Sequence, residues 1–485
     1  MGQRGRPEGH RLTSRWIALA AAAVTAAACS SPAAQTDTTT TIAGSTTTTT
    51  VRPSPPEWTT YGHDLANTRT NTSETVINPR SVGGLRVKWK DPETDGVVTT
   101  PTVSDGVVYF GDYVGNEWAV QLDSGKVVWE AKLGGGSVVG SPAVVGNVLY
   151  AGVGKTLYEL SRATGKVIWK ATTNPSVFSQ INTSPVVVGN LVFEATAQFE
   201  EIVGKPPMTF QGNLGAWNAQ TGKPVWNFVT TPNNSTSGAG EGIWSTPAVD
   251  TQLGLLYVGI GQDISEPAGP LEDSLVAIDY HTGKLKWAAQ FTRNDVFGVG
   301  HFNGVDADVG ASPNLWSVNG HEDVGVGQKN GIYHALDAAT GKSLWNTRLT
   351  PGSPFGGVLG SSAYVGGEIV ASSNIGDPKT NNVTKHSKVF ALDPANGKVI
   401  WSDTFPGDIY GPVSAVNGVA FVGTTAARYY ALDTASGKTL WSYATPAMVG
   451  GGGSIIDGNL LWGYGFVLFG PAGKAGIIDF AIPSS

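Results

Sequence analysis

Few residues in this 485-residue chain combine a reactive type with a suggestive spacing. Glu200 and Glu201 are adjacent, and Asp306 and Asp308 flank one alanine. A calcium ion takes several hard oxygen ligands, and a positioned carboxylate can act as a general base. Each group also has a plainer reading: adjacent glutamates suit a solvated loop, and the two aspartates sit in a pattern that looks structural. Lys329 stands in Gln328-Lys329-Asn330-Gly331, where Asn-Gly is a strong hairpin signal and a turn lysine needs no further role. Other chemistries lack their motifs. There is no G-x-S-x-G, P-loop or H-E-x-x-H. The seven histidines (10, 63, 281, 301, 321, 334 and 386) show no close metal-ligand spacing. The single cysteine, Cys29, excludes a disulfide framework, a cysteine zinc site and a C-x-x-C-H haem attachment.

The elements that must position such residues are strands. Glycine is 65 of 485 residues, about 13 %, roughly twice its usual ~7 %. Charged residues are only 14 %, which argues against a helical bundle and for many short strands joined by turns. The net charge of −7 argues against a nucleic-acid partner, which would need a basic patch. Arg4, Arg6, Arg11 and Arg15 precede an apolar run from Trp16 to Ala28, the pattern of a secretory leader and too short to span a membrane. Cys29 follows three alanines and resembles a lipoprotein cleavage site, so residues 1–29 read as a signal peptide with lipidation at Cys29. An ordinary leader that leaves a stray thiol is the alternative. Residues 30–57, rich in Thr, Ser and Pro, cannot bury a core and read as a flexible tether. The expected location is the cell envelope, exported and held to a membrane by a lipid anchor.

Residues 58–485 are one repeat. The phrase Asp123-Ser-Gly-Lys-Val-Val-Trp129 returns, with variations, at Trp169, Trp226, Trp287, Trp345, Trp401 and Trp441, and a degenerate copy ends at Trp89. The Trp-to-Trp spacings are 40, 40, 57, 61, 58, 56 and 40. A base unit of 40 matches a four-stranded propeller blade, and the long intervals add loops. The spacing predicts an all-β, eight-bladed propeller of four-stranded antiparallel blades. Its last blade is closed by Leu85–Trp89 pairing with C-terminal strands, which leaves no exposed edge. The repeated tryptophans read as core staples between blades. Trp244 stands outside the phrase.

The repeat resembles that of the pyrroloquinoline-quinone (PQQ) dehydrogenases, eight-bladed quinoproteins. The opening segment Trp58–Arg69 is similar to theirs. So are Phe199-Glu-Glu201 with Met208–Gly212, Gly242–Pro247, Gly254–Gly259, Val305–Pro313 and Gly327–Gly331, and within the family these look most like polyvinyl-alcohol dehydrogenases. The resemblance implies that PQQ lies flat over Trp244 near the axis, with Lys329 bonding the quinone oxygens and Asp295 as general base; Asp306 and Asp308 are rivals. It implies Ca²⁺ held by Glu200 or Glu201 and by Gln262 or Asp263. The implied reaction is oxidation of a small or polymeric alcohol, with electrons leaving to a separate acceptor. Three departures stand against this. No vicinal disulfide can form where Gly134–Val139 lies, no tryptophan follows Gly356-Gly357-Val358, and Gln262 is a neutral, longer ligand. A non-catalytic propeller that scaffolds or binds in the envelope is the alternative.

Overall fold

The computed structural model describes residues 57–200, 207–231, 238–298, 301–302, 305–377, 379–380, 382–466 and 475–483. The expected leader with Cys29, the tether up to residue 56, and Glu201 lie outside them.

Seven antiparallel sheets take their strands consecutively from the chain; the third carries an extra short strand, Ser179–Gln180. Blade 4, for example, is Ala248–Asp250, Leu255–Gly259, Ser274–Asp279 and Lys284–Gln290. Its second strand is buried at every position, while its outermost strand is mostly exposed. Inner strands therefore read as apolar runs and outer ones do not. Blade 5 is Asn314–Val318, His321–Gly327, Ile332–Asp337 and Ser343–Arg348. The eighth sheet takes Gly453–Ile456, Asn459–Tyr464 and Gly476–Ala481 and is completed by Arg86–Glu93. Arg86 lies opposite Ala481 and Glu93 opposite Gly476. The ring closes as the repeat predicts.

One contact recurs at each blade boundary from the first to the seventh. Trp89, Trp129, Trp169, Trp226, Trp287, Trp345 and Trp401 each lay their ring on the turn glycine of the following repeat. These are Gly125, Gly165, Gly222, Gly283, Gly341, Gly397 and Gly437, where a β-carbon would come within 2.3–2.8 Å of the indole or its neighbours. Each of these glycines has φ between +65° and +74°, a conformation that side chains disfavour. Each indole N–H then donates to the carbonyl three residues before that glycine, at 2.5–3.1 Å. Trp441 faces the closing blade, whose outer strands come from opposite ends of the repeat and have no such turn. It packs edge-on against Phe480 at 5.1 Å instead.

The segment Trp58–Asn71 runs along the inner strands and ties blades that are far apart in sequence. Its backbone bonds Val103, Val144, Val249, Leu315, Tyr364 and Ala415, one residue from each of six blades. Arg69 is fully buried, donating to the Val413 carbonyl at 2.6 Å and the Ser414 hydroxyl at 2.8 Å. Asn71 reaches the Ile455 carbonyl of the closing blade at 2.9 Å.

Two predictions follow from these contacts. Gly283→Ala must place a β-carbon 2.6 Å from the Trp226 ring at φ +70°; the left-handed backbone alone costs about 1–2 kcal/mol, so the urea midpoint should fall by at least that equivalent. The second concerns Glu194, buried between blades 2 and 3, where burial pushes its carboxyl up to about 8. An acid raised in the folded state binds its proton more tightly there, so its contribution to stability is lost as pH rises from about 4.5 toward 8. Glu194→Gln, which mimics the neutral form, should match the parent in Tm at pH 5 and exceed it at pH 9, by the equivalent of a few kcal/mol.

Candidate active site

The extra residues of the long repeats gather at one end of blades 3 to 6. Backbone bonds zip their loops together: Gly240 N–H to the Phe210 carbonyl at 3.0 Å, Ile264 N–H to Ala239 at 2.7 Å and Phe297 N–H to Asp263 at 3.0 Å. Below them a chain of hydroxyl groups passes from blade to blade. Ser141 Oγ accepts the Thr100 amide, Ser184 Oγ the Ser141 amide, Thr246 Oγ1 the Ser184 amide, Ser312 Oγ the Thr246 amide and Ser361 Oγ the Ser312 amide, at 2.8–3.0 Å. Tyr61, from the N-terminal segment, bonds Ser361 at 2.7 Å through its hydroxyl. These groups line an open cleft of about 130 Å³, walled by Val139, Trp244, Leu359 and Tyr410.

Trp244 is half-buried and lies flush on Gly310, where a β-carbon would come within 2.0 Å of the ring. The Lys329 ammonium sits 5.5 Å from the Trp244 ring centroid. It bonds Asp306 Oδ1 at 2.6 Å and Asp308 Oδ2 at 2.5 Å, all three side chains being almost buried. The Lys329 amide also donates to the Asp308 carbonyl at 3.1 Å, and Asp308 Oδ1 accepts the Gln262 amide at 2.8 Å. Burial pushes Asp306 well above the usual carboxylate range; Lys329 opposes the shift and Asp308 adds to it. One cation thus serves two carboxylates beside an aromatic face.

The other expected residues take different places. Asp295 is buried, and its oxygens accept the amides of Val305, Asp306 and Ala307 at 2.8, 3.1 and 2.7 Å. It clamps the loop that presents Asp306 and Asp308. The structural role expected of those two therefore falls to Asp295, and they pair with Lys329. Glu200 accepts the Thr209 and Phe210 amides at 3.1 and 2.7 Å. Asp263 turns one oxygen to the Gly269 amide, leaving Oδ1 buried without a hydrogen-bond partner. It joins Glu241 and Glu272, where burial above all pushes the carboxyls up to about 8, 9 and 7 in turn. Among the described residues no group of three or more His, Cys, Asp or Glu side chains is arranged to hold a metal ion. Glu200 and Asp263 thus spend oxygens on backbone amides, and Glu201 lies outside the described residues.

A flat aromatic quinone fits better. Trp244 offers a ring face backed by a residue that can carry no side chain, and Lys329 supplies positive charge at its edge. Val139 stands where the expected disulfide is missing, and Leu359 where the expected tryptophan is missing. Tyr410, on the same wall, and Tyr61 are residues that sequence reasoning missed. The hydroxyl chain did leave a signal: Thr/Ser-Pro recurs at 100, 141, 184, 246 and 312, and proline keeps the preceding residue extended.

The chain is similar to several known proteins. A family model described as the β-propeller domain of glucose/ethanol/alcohol dehydrogenases, named for PQQ, matches residues 172–358. A second, described as outer membrane protein assembly factor BamB, matches residues 328–479. A polyvinylalcohol dehydrogenase of a Pseudomonas species is 27 % identical over 422 residues, covering 76 % of this chain and 65 % of that protein. Quinohemoprotein alcohol dehydrogenase ADH IIB of Pseudomonas putida is 28 % identical over 333 residues, covering 59 % of this chain and 46 % of that one. The chain thus spans less than two-thirds of the length of these relatives. The crystal structure of quinohemoprotein alcohol dehydrogenase from Comamonas testosteroni shares the fold, with a TM-score of 0.73 at 20 % identity over 88 % of this chain and 80 % of that one. The segment matched by the first model carries Trp244, Asp306, Asp308 and Lys329, and over residues 172–358 the chain is similar to the PQQ-type β-propeller domain.

Proposed function

We propose that the protein is an exported, lipid-anchored quinoprotein that oxidises an alcohol, small or polymeric, and passes electrons to a separate acceptor. The observation that carries this reading is the Lys329 ammonium, bonded to Asp306 and Asp308 and held 5.5 Å from the centroid of Trp244, which walls the cleft. PQQ, when bound, would supply the two-electron acceptor, held by Trp244 beneath its ring and Lys329 at its oxygens. The chain's own residues do the rest. A preorganised ammonium stabilises negative charge as it develops at an oxygen. The Asp306–Asp308 pair is the group placed beside Lys329 to take the proton of the alcohol hydroxyl. Tyr61 and Ser361, which also line the cleft, hydrogen-bond each other. The anchor rests on Cys29 and the leader before it, and a polymeric alcohol is suggested by the named activity of the polyvinylalcohol dehydrogenase relative.

A second reading, a non-catalytic envelope scaffold, draws on the match of residues 328–479 to the assembly-factor model. That segment holds Lys329 but neither Trp244 nor the aspartate pair, and a scaffold has no use for their arrangement. The test is a titration of purified protein with PQQ, with and without Ca²⁺, followed by tryptophan quenching and then by dye reduction with a panel of alcohols. The wild type should bind saturably and turn over at least one alcohol. Trp244→Ala should weaken binding at least tenfold, since a lost aromatic partner and its buried area are worth about 1.5 kcal/mol or more. Saturable binding without turnover, or no binding at micromolar PQQ, would favour the scaffold.

A further inference from the structure

Lysine carries its charge on a four-carbon stem with about 2 kcal/mol of rotamer entropy. An ammonium held within 2.6 Å of two carboxylates therefore needs a fixed root. That root is the Gln328–Gly331 turn between the second and third strands of blade 5. We propose that Gln328 is a positioning residue for Lys329, pinning this turn to both neighbouring blades. Because the purpose of that pinning is inferred from the quinone reading, the inference rests on it, though its test does not.

Gln328 is completely buried. Its backbone carbonyl accepts the Val358 amide at 3.0 Å, from the approach to blade 6, and the Gly331 amide at 2.9 Å within the turn. Its side chain points the other way. Nε2 donates to Thr292 Oγ1 at 2.8 Å, just past the last strand of blade 4. Oε1 accepts Asn330 Nδ2 at 2.6 Å and faces His334 Nε2 at 3.1 Å. His334 is itself fixed, stacked on Phe291 with centroids 3.8 Å apart and planes 6° from parallel, and bonded to Asn346 at 2.7 Å. Burial pulls the imidazole down to about 4, so this support adds no charge beside the Lys329 site. Thr292 begins the loop whose Asp295 clamps residues 305–307. The glutamine amide thus locks the lysine turn to the loop that holds the lysine's two partners. A buried amide with both ends bonded is rigid, and leaving one end unpaired costs its desolvation.

The test reads Lys329 through the ring beneath it. Fluorine NMR of protein labelled with 5-fluorotryptophan gives one resonance per tryptophan, and Trp244→Phe identifies that of Trp244. Lys329→Met should shift it. Thr292→Val, which removes the hydroxyl from a half-buried loop position and spares the core, should shift it in the same sense, and Thr292→Ser should return it. Gln328→Met should act like Thr292→Val, with the latter decisive if the core variant folds poorly. Placed on Lys329→Met, Thr292→Val should leave the resonance where the single variant put it, because a residue acting through the lysine has nothing left to move. An unmoved resonance in Thr292→Val, or an equal shift with and without Lys329, would overturn the proposal. In PQQ titrations Thr292→Val should bind about three- to tenfold more weakly than wild type, a coupling typical of residues in one network. If wild-type protein shows no Trp244 shift on adding PQQ, the quinone reading fails while the fluorine result still decides whether Gln328 positions Lys329.

Discussion

The structure depends on an indole laid across a glycine. Each repeat-phrase tryptophan from Trp89 to Trp401 spans a blade boundary, covering the next turn's glycine and donating its N–H to the carbonyl three residues earlier. Two constraints meet there. The turn needs a residue at positive φ, which favours glycine, and the ring needs a flat floor, which demands it. The contact is local to one boundary, yet repetition around the ring fixes the angular spacing of the blades and so the width of the axial cleft. Thr-Gly-Lys and its variants are therefore both the hairpin's turn and the socket for the previous blade.

This explains why the fold was legible and the site less so. The repeat phrase encodes the boundary contact residue by residue, and a degenerate copy at Trp89 revealed how the ring closes. The site has no such periodicity. Asp295 and Asp306 look alike in sequence, each an aspartate in a loop beside an asparagine or an alanine. Only the folded backbone shows that the amides of residues 305–307 converge on Asp295, leaving Asp306 and Asp308 to share Lys329. Tyr410 was invisible because it comes from a repeat remote from the motif cluster. The hydroxyl chain was overlooked although Thr/Ser-Pro marks it, because a serine before a proline is unremarkable until it recurs at one place in five blades.

The acidic character of the cleft side has a physical consequence. Glu241, Asp263, Glu272, Asp273, Asp295, Asp306 and Asp308 are all buried, and Lys329 pairs with Asp306 and Asp308. A carboxylate removed from water either finds a partner or holds its proton. Asp295 takes the first course through three backbone amides. Asp273 takes the second: burial raises it well above the usual range, and Asp308 and Asp295 push it further. The lysine consequently sits at the edge of a region that resists further negative charge, and its ammonium is the local feature that would make an added oxyanion tolerable.

That balance bears on how one propeller scaffold can serve catalysis or mere assembly. The indole–glycine boundaries, the hydroxyl chain and the Trp58–Asn71 strap would hold the ring whatever stood in the cleft. They place no demand on residues 244, 306, 308 or 329. A propeller relieved of chemistry would gain stability by exchanging buried ionic groups for apolar ones of similar size, since buried ion pairs seldom outperform well-packed hydrocarbon. Here the pair is kept, buried, bonded at 2.5–2.6 Å and set against an aromatic ring on a glycine floor. A fold that needs none of these groups for closure carries them together beside one aromatic ring, which is the arrangement the proposed chemistry would use.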